Sequence, residues 1–330
     1  MKAVLCKEWG PPELLVVDDV PTPRPGKSEV LIEVHAAGVN FPDTLIIQRK
    51  YQFQPELPFS PGGEVAGIVK EVGEGVSNSK PGDRVVGSFS WGGFATEAVV
   101  KAERVVQIPD EMDFITASAY MLAYGTSLHA LKDRAKLATG ETLLVLGAAG
   151  GVGIAAIEIG KAMGARVIAA ASSDERLAMC VAHGADDCIN YKQEDLRARI
   201  KALTDGRGVD VIYDPVGGDY SETAFRSIAW GGRHLVVGFA AGSVPKIALN
   251  LPLLKGASLV GVFWGDFLRH DPLVGRQHLQ DLLTLYQSGK VRPPITQTYP
   301  LDEAPKALRA VMERQVKGKV VILPRSMNAH

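Results

Sequence analysis

TLLVLGAAGGVGIAAIEIGK, residues 142–161, passes from an apolar strand-like run through a turn holding Gly147, Gly150, Gly151 and Gly153 into a helix-forming stretch. That is the setting in which a dinucleotide is bound. Gly150 lets the backbone approach a pyrophosphate, and Gly153 lets helix and strand pack closely. The first helical turn adds unpaired N–H groups and the positive end of the helix dipole. Ala148 stands where G-x-G-x-x-G has its first glycine, so the run reads A-x-G-x-x-G. A tight turn that binds nothing is the competing reading, and the order of the neighbouring segments weighs against it.

Downstream, strand and helix patterns alternate: RVIAAAS, then ERLAMCVAHGA, DCINY, EDLRARIKALT and VDVIYD, followed by the strands HLVVGFA and SLVGVFW. Strands alternating with helices of this length predict a parallel sheet covered on both faces. Upstream, residues 1–120 read as strands separated by Pro, Gly, Asp and Ser clusters: MKAVLC, EVLIEVHAAGV, GGEVAGIVKEV, RVVGSF and ATEAVVK. The final sixty-odd residues give two helices, RQHLQDLLTLYQSG and APKALRAVMER, and a last strand, KVVILP, which is expected to rejoin the N-terminal β-rich part.

With 330 residues the chain has room for about two domains of roughly 100–200 residues each. Apolar residues make up 46% and charged residues 22%, and 36 Lys and Arg nearly balance 37 Asp and Glu. This disfavours a disordered chain and a basic nucleic-acid binder. The run from Leu143 to Ile157 is shorter than the ~18 residues a membrane span needs. No secretory leader is read in MKAVLCKEWGPP, because Lys7, Glu8 and Pro11 interrupt it. Cys6, Cys180 and Cys188 have neither disulfide-framework nor zinc-site spacing, so a reducing, cytoplasmic setting is expected.

The end of the second strand of the nucleotide-binding part decides which nicotinamide nucleotide fits. An NAD site generally places Asp or Glu there, about twenty residues beyond the glycine turn. Here the strand ends Ala171-Ser172-Ser173, with Arg176 one turn later. Two hydroxyls and a guanidinium favour a 2′-phosphate and therefore NADPH. Ser172 with Glu175 also reads as a capping box for the following helix, and Asp174 and Glu175 weigh against a phosphate.

Taken together, GVNFPD (38–43), PGGEVAGIVKEVGEGV (61–76), PGDRV (81–85), GGFATEAVV (92–100), TGETLLVLGAAGGVGIAAIEIGK (139–161), DPVGG (214–218) and GKVVILP (318–324) resemble the zinc-independent, zeta-crystallin-like quinone oxidoreductases of the medium-chain dehydrogenase/reductase superfamily. The resemblance covers nearly the whole chain. It departs at Glu158, where the family's pattern usually has Gln, a difference read as structural. It implies an α/β protein in which a Rossmann, doubly wound parallel sheet (124–265) is inserted in a GroES-like β-rich catalytic domain (1–123, returning at 266–330). A homodimer formed through SLVGVFW is carried over by analogy.

Zinc-dependent cousins place a Cys where this chain has Asn40 and a His in the motif that here reads Gly62-Gly63-Glu64. Catalytic zinc needs three protein ligands in one cleft, so no metal is expected. His270 and His278 read as surface residues. Without a Lewis acid, simple alcohol dehydrogenation loses its main device, whereas hydride transfer to an electron-poor quinone or enone does not need one. The implied activity is NADPH-dependent reduction of a small quinone or α,β-unsaturated carbonyl. Enoyl-thioester or alkenal reduction, with Tyr51 as proton donor, is one alternative, and a non-catalytic NADPH-binding protein is another.

The resemblance implies that Asn40 lies near the nicotinamide, with Asp43 following in the same catalytic motif, and that Tyr51 lines the substrate cleft. Tyr51 can give a hydrogen bond or a proton to a developing oxyanion, or it is an aromatic packing on a loop. Asn40 is alternatively a turn residue and Asp43 a local backbone partner. Thr126 would face the nicotinamide, or cap a helix. Ala149, Gly150, Gly151 and Val152 would surround the pyrophosphate, and Ser172, Arg176 and Tyr191 the 2′-phosphate. Gly238 and Phe239 would lie beside the nucleotide. Phe263 and Trp264 would face the carboxamide, or be core aromatics. Cys180 and Cys188 read as inert core thiols.

Overall fold

The computed structural model describes residues 1–325, which divide into two compact units. The first comprises Met1–Leu122, Phe267–Thr284 and the segment from Arg292 onward, and the second Ala123–Asp266 with Leu285–Val291.

In the first unit the N-terminal strands are β1 (Lys2–Leu5), β2 (Val16–Asp19), β3 (Glu29–Val39), β4 (Glu64–Val72), β5 (Arg84–Ser88), β6 (Glu97–Lys101) and β7 (Val105–Gln107). β3 is the organiser. It pairs antiparallel with β4 over Val30–Ala37 and with β6 over Glu29–Glu33. Nearly every β3 side chain is enclosed, so it reads as an almost continuous apolar run rather than as an alternation. The expectation of strands throughout residues 1–120 needs correction: α1 (Phe41–Ile46) and α2 (Phe114–Ser118) interrupt them. α1 follows directly from GVNFPD. Asp43 accepts the Asn40 N–H at 2.8 Å, and Pro42 sits in the first helical turn, where its missing N–H costs nothing.

α3 (Met121–Leu128) leads into the second unit, whose strands and helices then alternate: β8 (Thr142–Leu146), α4 (Gly151–Ala162), β9 (Arg166–Ala171), α5 (Asp174–Ala182), β10 (Asp187–Asn190), α6 (Leu196–Leu203), β11 (Val209–Asp214), α7 (Asp219–Phe225), β12 (Ile228–Val236), α8 (Asn250–Lys255) and β13 (Ser258–Gly261). The described strands form one parallel sheet in the order β10-β9-β8-β11-β12-β13, the doubly wound arrangement. Its interior is built from β-branched and aliphatic residues such as Leu144, Ile168, Ile189 and Ile212. The expected strand SLVGVFW is shorter than its apolar run: it stops at Gly261, and Trp264 opens helix α9 (Trp264–His270).

α10 (Pro272–Gln287), β14 (Ile295–Pro300), α11 (Ala304–Met312) and β15 (Lys319–Leu323) are the remaining elements of the described residues. β15 pairs antiparallel with β3 through Val320–Ile322 and parallel with β14, so KVVILP does rejoin the N-terminal sheet. Ala304, Ala307 and Leu308 on α11 close one side of the core made by Val34, Val65, Phe94 and Ile322. The fold is thus a GroES-like β-rich part with a Rossmann-type parallel sheet between its two segments.

Candidate functional site

In a parallel sheet of this order, ligands bind outside the carboxyl ends of the strands, at the point where the strand order reverses. Here that point lies between β8 and β11. The segments leaving the sheet at this end carry the residues expected to hold the nucleotide: Ala149–Val152 after β8, Ser172 and Arg176 after β9, Tyr191 after β10, Gly238 and Phe239 after β12, and Phe263 and Trp264 after β13. α3 joins them through Ser127, whose hydroxyl donates to the Val152 carbonyl at 3.0 Å and meets the Tyr213 hydroxyl at 2.9 Å. Thr126 sits inside this helix, so the capping alternative for it falls.

The glycines of the turn do different jobs. A Cβ on Gly153 would come within 2.5 Å of the Ala148 carbonyl, so helix and strand approach only because that side chain is missing. Gly150 has φ −80°, open to any residue, and a Cβ there would meet nothing closer than 3.4 Å. Neither backbone nor packing demands glycine at 150. It leaves open space in front of the α4 N-terminus, which fits a cradled pyrophosphate.

The capping residue of α5 is Ser173, whose hydroxyl accepts the Arg176 N–H at 3.4 Å; this corrects the reading of Ser172 as the cap. Ser172 makes no hydrogen bond with another described residue through its hydroxyl. Asp174, which weighed against a phosphate, is held by the Asn190 amide at 2.7 Å. Tyr191 stacks at a tilt on Tyr220, with ring centroids 4.5 Å apart. Trp264 is buried against Gly125, where a Cβ would lie 2.6 Å from the indole, while Phe263 remains exposed.

Sequence reasoning passed over the hub of the DPVGG turn. One Asp214 oxygen accepts the N–H groups of Val216 and Gly217, both at 2.9 Å, and the other takes the Ser221 hydroxyl and His234 Nε2. Burial pushes this carboxyl up, yet the His234 bond and charge, with the Ser221 hydroxyl, hold it below the usual range. The anchored turn places Gly217 and Gly218 at positive φ, and Gly217 has Phe239 directly against it. Glu158 proves to be a buried bridge: it accepts the Tyr124 hydroxyl at 2.6 Å and meets His183 Nδ1 at 2.7 Å.

The first unit gathers Asn40, Asp43 and Tyr51 with two residues that the sequence reading missed, Glu64 and Lys319. The Lys319 ammonium donates to Asn40 Oδ1 at 2.5 Å and lies 3.8 Å from Glu64 Oε2. Asn40 Nδ2 donates to the same Glu64 oxygen at 3.1 Å, and Glu64 Oε1 accepts the Leu122 N–H at 3.0 Å. A lysine can only donate and a carboxylate only accept, so the Asn40 amide has one possible orientation. The Asn40, Asp43, Glu64 and Lys319 side chains are all buried. Burial pushes the Asp43 carboxyl up to about 7, raises Glu64 and lowers Lys319. Tyr51 packs on the edge of the core and meets Phe53 edge-on at 6.0 Å. Its hydroxyl bonds to no other described residue, and burial, then the Asp43 charge, raises its pKa.

Among the described residues no group of three or more His, Cys, Asp or Glu is placed to hold a metal ion. His278 corrects its surface assignment: it is buried, and its Nδ1 meets the Val274 carbonyl at 2.6 Å, whereas His270 is exposed. Cys180 is enclosed, its thiol pushed up to about 12 by burial, and burial also raises Cys188. Neither has thiolate character at neutral pH. No described helix is long and apolar enough to cross a membrane.

Residues 26–110 match the alcohol dehydrogenase GroES-like domain family, and residues 151–283 match the zinc-binding dehydrogenase family. The quinone oxidoreductase-like protein 2 homolog of Nematostella vectensis is 40% identical over 97% of this chain and 88% of its own length. The quinone oxidoreductase of Rattus norvegicus is 35% identical over 98% of each chain. The crystal structure of Escherichia coli quinone oxidoreductase complexed with NADPH superposes with a TM-score of 0.92 at 29% identity, covering 98% of this chain and 100% of that one. Fold and likeness together define a two-domain oxidoreductase. The chain belongs to the quinone-oxidoreductase-like members of the medium-chain dehydrogenase/reductase superfamily.

Proposed function

We propose that the protein is a zeta-crystallin-like, cytoplasmic NADPH-dependent reductase of quinones or related α,β-unsaturated carbonyls, working by direct hydride transfer without zinc. The observation that carries this reading is the carboxyl edge of the parallel sheet. The turns after β8, β9 and β10 converge there with no ribose-binding carboxylate at the end of β9, and with Ser172 and Arg176 in its place. The likeness to a quinone oxidoreductase solved with NADPH supports it.

Ala149, Gly150, Gly151 and Val152 hold the pyrophosphate against the α4 N-terminus, and Ser172, Arg176 and Tyr191 hold the 2′-phosphate. Thr126, Gly238, Phe239, Phe263 and Trp264 orient the nicotinamide end. NADPH supplies the hydride when bound. The chain's own task is to align the acceptor and to deliver a proton as negative charge grows on the acceptor oxygen. Tyr51 is suited to this because its hydroxyl bonds to no other described residue and its raised pKa keeps the proton in place at neutral pH. Asn40 and Asp43 build the catalytic floor: Asn40 is fixed by Lys319 and Glu64, and Asp43 holds the first turn of α1.

The reading also includes a homodimer formed along β13, the edge strand of the sheet. Trp230, Leu249 and Leu253, each more than three-quarters exposed, and the half-exposed Leu259 support it.

The test follows NADPH and NADH oxidation in the near ultraviolet with a naphthoquinone, a short alkenal and a crotonyl thioester. Rapid NADPH oxidation with the quinone is expected. Arg176→Ala should weaken NADPH about tenfold or more while barely changing NADH, and Tyr51→Phe should lower kcat by about a hundredfold. Equal losses for both nucleotides would overturn the phosphate site, and a fully active Tyr51→Phe enzyme would overturn the proton donor. Nucleotide binding without turnover of any acceptor would sink the enzymatic reading.

A further inference from the structure

Helix α5 begins with two carboxylates, Asp174 and Glu175, placed between Ser172 and Arg176. That suits the helix, whose N-terminus favours negative charge. It does not suit a 2′-phosphate bound by Ser172 and Arg176, which a carboxylate repels. The last residue of β10 bears on this conflict. Asn190 is buried, and its Nδ2 donates to Asp174 Oδ1 at 2.7 Å. Its Oδ1 accepts the Lys192 N–H at 3.2 Å, an Asx turn, so the amide has to present its donor side to Asp174. The Asn190 backbone N–H donates to Glu194 Oε1 at 3.0 Å, and the other Glu194 oxygen lies 2.6 Å from Arg199 Nε. One buried residue thus holds two carboxylates at the end of β10, the outermost strand on that side of the parallel sheet.

We propose that Asn190 is a specificity-determining residue for the nucleotide: by holding the Asp174 carboxylate against the end of β10, it keeps that charge off the 2′-phosphate and so preserves a preference for NADPH over NADH. This rests on the phosphate-site reading above and deepens it. In this role Asn190 acts through Asp174. Because Asp174 is exposed to solvent, the effect is of modest size and sensitive to salt.

The experiment measures NADPH and NADH affinities by calorimetry, which needs no acceptor, in the wild type, Asn190→Ser, Asp174→Asn and the double variant, with melting temperature as the folding control. Serine keeps an oxygen for the Lys192 N–H and is too short to reach Asp174. Asn190→Ser should raise the NADPH Kd about fivefold to tenfold and the NADH Kd less than about twofold. In the Asp174→Asn background the same substitution should change the NADPH Kd less than about twofold. The loss should shrink as NaCl rises from about 0.02 to 0.5 M, since salt screens a charge through space and does not repair a distorted turn. Where Asn190→Ser does not fold, Asn190→Asp should weaken NADPH at least about fivefold, and adding Asp174→Asn, which exchanges amide and carboxylate, should return it to within about twofold of the wild type. Equal losses for NADPH and NADH, an equal NADPH loss in both backgrounds, no loss, or failure of the exchange would overturn the proposal. A wild type that prefers NADPH while the Asn190 variants keep that preference overturns this proposal alone. A wild type that binds both nucleotides equally overturns the phosphate-site reading and the proposal with it.

Discussion

Asp43 and Glu64 are buried close to the buried Lys319 ammonium. Burial pushes Asp43 up to about 7, and the Glu64 charge adds a little, while the Asn40 N–H and the Lys319 ammonium pull the other way. The folded protein therefore holds a proton on Asp43 that the unfolded chain releases near ~4. That contribution to stability is complete below ~4 and is lost as pH rises towards 7. Asp43→Asn keeps an oxygen to accept the Asn40 N–H and removes the titration. Its urea midpoint should fall less steeply than the wild type's between pH 5 and 8, the difference being at most about 1.4 kcal/mol per pH unit. Glu64 shifts the same way, so a shallower slope is expected rather than a flat one. Identical slopes would show that Asp43 stays ionised. GVNFPD made Asn40 and Asp43 legible because their partnership is local. Lys319 lies 279 positions from Asn40, and no local pattern announces that a surface-type residue in GKVVILP turns inward. His278 misled for a related reason: its polar neighbours lie on the outer face of α10, while its own ring is buried.

Helix α4 shows two glycines in one turn held for different reasons. Gly153→Ala drives a Cβ into the Ala148 carbonyl, so stability should fall by about 1–3 kcal/mol as strand and helix separate. Gly150→Ala meets no such obstacle and should leave stability within about 0.5 kcal/mol while weakening NADPH. Thermal melts with nucleotide titrations separate the two, and an equal loss of stability in both variants would contradict the division of roles. The β8–α4 stretch was readable because strand and helix follow their own periods on either side of a glycine turn. The end of β13 was not: SLVGVFW is apolar throughout, and apolarity alone cannot mark where Gly261 lets the strand stop and Trp264 begins a helix. The cap of α5 shifted by one residue because Ser172 and Ser173 are chemically equivalent, and only the helix start distinguishes them.

For the chain as a whole, the order of β-rich, alternating and returning segments was legible because the period of the apolar residues changes where the architecture changes. The partner was not legible, since an exposed edge strand names no occupant. If β13 pairs with a second copy, Leu259→Arg should shift sedimentation from dimer to monomer with the melting temperature falling. A wild type that sediments as a monomer at every concentration would end the dimer reading. The terminal strand has a bearing on biosynthesis as well. Asp43 and Glu64 leave the ribosome long before Lys319, the residue whose ammonium opposes their charge. Until β15 pairs with β3, closing the core of the first unit would enclose these acids without the Lys319 cation. The core of the first unit is thus expected to close only once β15 is made, and a product truncated after residue 318 should be cleared by proteases instead of maturing.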